Sequence, residues 1–127
     1  MVEKLNRTVA DVIPDNLVNS AFKTDSFGVT VASGQGELKR GTVLALNSSG
    51  KAVILGTEEE IKSVATKCVA NCILQKNVDA TSADVVTIAY REGHFNKDAL
   101  IVKSDYTLTA DDIDVLRTHN IILSDEI

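Results

Sequence analysis

The chain has 127 residues, of which 44% are hydrophobic and 24% charged, and its formal net charge is −5. That is the size and balance of one domain with a modest core. An acidic chain with no run of Lys and Arg is repelled by phosphate backbones, which argues against nucleic acid as a partner. Aromatic residues make up 4% and tryptophan is absent, so the core is expected to be aliphatic, with few platforms for stacking on bases or sugars.

No apolar run reaches the ~20 residues of a membrane helix, and no charged-then-apolar leader opens the chain, so a soluble protein outside the general secretory route, with no membrane partner, is expected.

Residues 1–25 carry no sustained period. Asn6, Asp11, Pro14, Asp15, Asn16, Asn19 and Ser20 punctuate the scattered apolar residues Val9, Val12, Ile13, Leu17, Val18 and Phe22. The step before Pro14 is expected to be extended. The segment reads as an arm, too apolar for a solvated tail, that packs across its own domain or on a partner.

Residues 27–32 (Phe-Gly-Val-Thr-Val-Ala) alternate and are β-branched, the signature of a strand. Gly34 and Gly36 then mark a loop; no lysine-threonine pair or helix follows, so turn geometry explains them better than a phosphate cradle. Residues 38–46 and 51–55 flank Asn47-Ser48-Ser49-Gly50, a four-residue hairpin turn with Gly50 at positive φ. Thr57 with Glu60 has the spacing of a capping box and predicts a short helix before Cys68.

Residues 68–74 are nearly continuously apolar and predict a strand buried on both faces. On such a strand Cys68 and Cys72 share a face about 13 Å apart, at ~3.3 Å per residue, too far for a disulfide. On a helix they lack the further ligands a tetrahedral metal site needs. Buried reduced thiols are the expectation.

Residues 79–84 form a turn and residues 85–90 (Val-Val-Thr-Ile-Ala-Tyr) the strongest strand. Arg91-Glu92-Gly93 is read as a break, after which His94-Phe95-Asn96 continues extended and Asn96 or Asp98 caps a short helical turn. Residues 109–120 predict the one substantial helix: Thr109 as N-cap, Asp112 at N3, a Leu108–Ile113 staple, an apolar face of Ile113, Leu116 and Val115, and Asn120 as a left-handed C-cap. Ile121, Ile122 and Leu123 return as a last strand.

Strands joined by tight turns with one late helix predict a mainly β fold, a small, partly closed antiparallel assembly. No catalytic apparatus is visible. His94 and His119 lack partners, the aspartates sit in turns or at a helix start, there is no calcium loop and no nucleophile elbow. Catalytic residues, metal ligands and cofactors are all expected to be none.

Several segments in order then resemble one family. Residues 29–35 (Val-Thr-Val-Ala-Ser-Gly-Gln), 38–44 (Leu-Lys-Arg-Gly-Thr-Val-Leu), the turn 48–51 (Ser-Ser-Gly-Lys), 70–74 (Ala-Asn-Cys-Ile-Leu) with 78–80 (Val-Asp-Ala), 86–96 (Val-Thr-Ile-Ala-Tyr-Arg-Glu-Gly-His-Phe-Asn) and 99–101 (Ala-Leu-Ile) are similar to the head decoration proteins of tailed bacteriophages. Asn71-Cys72 departs from the glycine-containing pair of many members, and residues 58–67 look longer and more charged than usual.

The resemblance implies a β-clip-like bent ribbon forming an incomplete barrel, with an N-terminal capsid-binding arm (residues 1–27) ahead of a β domain (residues 28–127). It implies a capsid cement protein, not an enzyme, made in the host cytoplasm and seated on the outer surface of the virion. Its partners would be the major capsid protein, whose expanded lattice it binds and stabilises against internal DNA pressure, and its own copies, as a homotrimer at three-fold positions. Phe22, Phe27, Val29 and Val31 are the implied capsid contacts. A head-fibre adaptor on the same domain, or a β-clip nucleotide pyrophosphatase, are the alternatives; the chain has no fibrous tail and no recognisable nucleotide-hydrolysis motifs.

Overall fold

A computed structural model describes residues 17–19 and 21–124. The fold is mainly β, with ten strands and one α-helix among the described residues. The strands are β1 (Asp25–Val31), β2 (Gly36–Leu38), β3 (Val43–Leu46), β4 (Ala52–Ile54), β5 (Glu58–Ile61), β6 (Val64–Lys67), β7 (Val69–Leu74), β8 (Val78–Ala80), β9 (Val85–Asn96) and β10 (Ile121–Ser124), with helix α1 at Ala110–Thr118.

The main sheet runs β1-β4-β3-β7-β9-β10 and closes on itself because β1 also pairs with β9. Closure goes one step beyond an open ribbon, and it rests on a single parallel pair, Val31 with Ala52. The β9–β10 pair is also parallel; the other main-sheet pairs are antiparallel.

Alternation along the strands divides the apolar residues into two clusters. Val31, Leu38, Leu44, Ala52, Cys72, Leu74, Ala80 and Ala89 form one, with Phe27, Val29, Ile54, Val78 and Val85 packed against it. The other takes alternate residues of the same strands, Val43, Ala45, Val53, Ile73 and Tyr90 among them, under Leu116, Ile121, Phe95 and Leu17. Strands β3, β4, β7 and β9 are thus buried on both faces where the helix side covers them, whereas β1 adds residues to the first cluster alone.

The cysteines show how a bulge redirects a strand. Opposite Leu44 and Ala45 of β3 stand Cys72 and Ala70 of β7, so Asn71 is an extra residue. Parity flips there: Cys68 lies in the helix-side cluster and Cys72 in the other, not on one shared face. Both are free and buried, and burial pushes the Cys72 thiol up to about 12.

Three local expectations are corrected. Residues 38–46 are not one strand: a turn closed by Thr42 N–H to the Lys39 carbonyl (3.1 Å), with Gly41 at φ 96°, sends β2 away to pair with β8. The Thr57 capping box does not start a helix; residues 58–67 form a hairpin whose turn residues Lys62 and Ser63 have φ 52° and 67°. Residues 91–93 do not break β9. Gly93 makes room there rather than turning the chain, since an added Cβ would meet the Phe95 ring at 3.0 Å and Thr24 at 3.1 Å.

Helix α1 follows its sequence signals. Thr109 accepts from the Asp112 N–H, and Asp112 accepts from the Thr109 N–H in return. Asn120 has φ 65°, and its carbonyl accepts the Gly93 N–H (3.1 Å), which docks the helix end on β9. Asn96 caps a 3-10 turn at Lys97–Ala99.

Candidate interaction surface

The surface around the N-terminal segment is built on the last residues of β9. The Asn96 N–H donates to the Leu17 carbonyl and the Asn19 N–H to the His94 carbonyl, both at 2.9 Å, with Val18 bridged antiparallel to Phe95. Leu17 is 2% exposed and packs over Gly41, where an added Cβ would stand 3.5 Å from the leucine. A tight turn follows: the Phe22 N–H donates to the Asn19 carbonyl (3.1 Å) and the Ala21 N–H to Asn19 Oδ1 (3.0 Å).

That turn lays Phe22 flat on His94, ring centroids 3.7 Å apart and 10° between planes. Stacked in this way, Phe22 is still 48% exposed. One groove is lined by the stack together with Glu92, Asn120 and Ile122; a second, on Asp25, Arg91 and His119, shares Glu92 and Asn120 with it. Arg91 Nε donates to Asp25 Oδ2 at 2.7 Å, and that hydrogen bond holds the Asp25 carboxyl below its ordinary range.

The four residues singled out from the sequence are not brought together. Phe22 lies on the surface. Phe27 and Val29 are half-buried against the interior cluster, and Val31 is fully buried there. The alternation that identifies β1 turns these three residues inward together. Their outward neighbours Gly28 and Thr30 oppose Ile88 and Val86, and Val86 is 77% exposed. Residues 85–90 are apolar on both faces, and the face that enters this cluster carries Val85, Thr87 and Ala89, so alternation holds no signal that would single out Val86. The Phe22–His94 stack has no sequence-local signal, because β9 brings residue 94 to the N-terminal turn through tertiary pairing.

A second exposed apolar group lies at the hairpin tip, where Ile61 and Val64 face each other across the strands, 41% and 61% exposed. His119 is the C-cap of α1. Among the described residues no group of three or more His, Cys, Asp or Glu could hold a metal ion, and no helix is long and apolar enough to cross a membrane.

Against known families, the profile described as Bacteriophage lambda head decoration protein D matches residues 14–121. No curated protein matches the chain significantly.

Proposed function

The chain belongs to the bacteriophage head decoration protein family, a structural family of the virion capsid, and from that premise we propose that it cements the head as a homotrimer. In this reading each copy binds the expanded lattice of the major capsid protein and stabilises it against the pressure of packaged DNA. The protein is made in the host cytoplasm and acts on the outer surface of the shell, without nucleic acid, membrane or cofactor and without enzymatic activity.

The observation that supports this reading most is how residues 17–24 meet the domain. Two backbone hydrogen bonds and one buried leucine fix the segment to the end of β9, and Phe22 is held by His94 while 48% exposed. A contact residue held in one pose loses little freedom on docking. Phe22 is therefore the contact we favour among the four; Phe27, Val29 and Val31 would act by shaping the strand behind it.

Stabilisation follows by mass action. A ligand that binds only the expanded lattice favours it by RT ln(1 + [L]/Kd), about 2.7 kcal/mol per site at a hundredfold excess over Kd. Three linked copies raise the effective concentration of each contact.

The test is co-sedimentation with expanded and unexpanded cognate shells. The full chain should bind expanded shells saturably and selectively. A truncation should stop before Leu17, because removing that residue and the Val18 bridge uncovers the core. F22A keeps both, and it is expected to leave thermal unfolding nearly unchanged while removing most of the shell affinity. Unchanged affinity would remove Phe22 from the contact, and no binding by the full chain would remove the cement reading.

A further inference from the structure

The β5–β6 hairpin stands outside the packing that explains the rest of the described chain. None of its residues belongs to either apolar cluster, and six of its eight strand residues are exposed, the exceptions being Glu59 and Lys67. A lone two-stranded hairpin in water is marginal at best. Something other than burial has to keep it in place.

The two half-buried residues supply it, from opposite faces. Glu59 pairs with Thr66 and Lys67 with Glu58, neighbouring rungs whose side chains point to opposite sides. On one side Glu59 accepts from the Ser48 N–H (2.7 Å) and Oγ (3.0 Å) in the turn between β3 and β4. On the other, Lys67 Nζ donates to Asp112 Oδ1 (2.7 Å) in the first turn of α1 and to the Tyr106 hydroxyl (2.6 Å). Asp112 is 3% exposed and also accepts from the Tyr106 hydroxyl and the Thr109 N–H. A buried carboxylate with this many donors is a rigid anchor.

We propose that the hairpin is a separately opening unit whose pose is set by two polar tethers, Glu59 to the 47–50 turn and Lys67 to the Asp112–Tyr106 pair, so that cutting either one frees it while the barrel stays closed. The Ile61–Val64 tip is then an element that order at a tether can present or withdraw without repacking the core. This inference does not depend on capsid binding.

Hydrogen exchange on the isolated full chain tests it. K67M cuts one tether and keeps the Asp112 cap on Thr109, so the helix start survives. E59Q weakens the other at constant size. In each variant the amides of residues 58–67 should exchange about tenfold faster or more, while those of β1, β7 and β9 keep their wild-type rates. Hairpin amides unchanged in either variant, or hairpin and barrel amides accelerating together, would overturn the proposal. So would wild-type hairpin amides that already exchange at the free-chain rate.

Discussion

The barrel, mostly antiparallel, and the antiparallel β5–β6 hairpin are both β-structure, yet they are held by different forces. In the barrel, side chains alternate between two apolar clusters, and Val43, Leu44, Ala45, Ile73 and Leu74 are fully buried in consecutive runs. In the hairpin nothing is buried, and a carboxylate on one face and an ammonium on the other do the holding. Burial is summed over many contacts and fails globally; a tether fails locally. Four substitutions sharpen this contrast.

The largest effect is expected in the helix-side cluster. Phe95 is fully buried and sits at 5.3 Å from the Tyr90 ring, under the Val18 bridge. F95A should cost about 3–5 kcal/mol and lower the melting temperature by on the order of 10 °C. Calorimetry should show one transition, moved as a whole. A two-step unfolding would mean that the two clusters are separate cooperative units.

The same contrast decides what could be read from the sequence. Strands β1, β3, β4, β7 and the first half of β9 were legible because period two and continuous apolar runs report burial, the force that holds them. Helix α1 was legible because Thr109, Asp112 and Asn120 act on their own backbone. Residues 58–67 were misread because Thr57 and Glu60 imitate a capping box, while the partners that matter, Ser48, Tyr106 and Asp112, are remote in sequence. The bulge at Asn71 was hidden for a similar reason: an apolar run has no phase, so the flip between Cys68 and Cys72 leaves no pattern. At the candidate surface, Phe22 was visible as an unburied aromatic in an irregular segment, whereas its stack on His94 depends on β9 running unbroken through Gly93.

The next effect separates the hairpin's root from an ordinary turn. Gly56 has φ 108°, and a Cβ there would lie 2.7 Å from Tyr106 Cβ and 2.9 Å from Lys103 Cβ. Gly50 has φ 80° with nothing within 4 Å. G56A should therefore lose roughly 2–4 kcal/mol, conformational strain plus the clash, and G50A about 1 kcal/mol from conformation alone. Chemical denaturation of the pair checks it. Equal losses would mean that the 103–106 loop moves aside freely, and with it the Tyr106 side of the Lys67 tether.

The smallest effect is electrostatic and belongs to the tether itself. Burial works against the charge on Asp112, but hydrogen bonds from Lys67, Tyr106 and Thr109 outweigh it and hold the carboxyl below its ordinary value of 3.8. Burial likewise opposes the Lys67 charge, and its bonds to Asp112 and Tyr106 outweigh that and hold the ammonium above 10.5. A carboxyl depressed by folding contributes stability that is fully present above the unfolded value and lost as pH falls through the folded one; a raised amine contributes stability present below its unfolded value and lost as pH rises through the folded one. The difference in melting temperature between wild type and K67M should thus be flat across neutral pH. It should shrink as pH falls below 3.8, where Asp112 takes up a proton, and again as pH rises beyond 10.5, where Lys67 gives one up. Asp25, Asp79, Asp84 and Asp105 are also depressed by hydrogen bonds, but both proteins carry them, so they cancel in the difference. The amplitude should stay below that of G56A, because the Lys67 side chain is 36% exposed and its charge is screened by solvent, and Asp112 keeps its donors from Tyr106 and Thr109 in K67M. A difference that keeps its full size in acid would show that Lys67 supports the hairpin by packing its alkyl stem on Tyr106, and that the charge on Asp112 has no part in holding it.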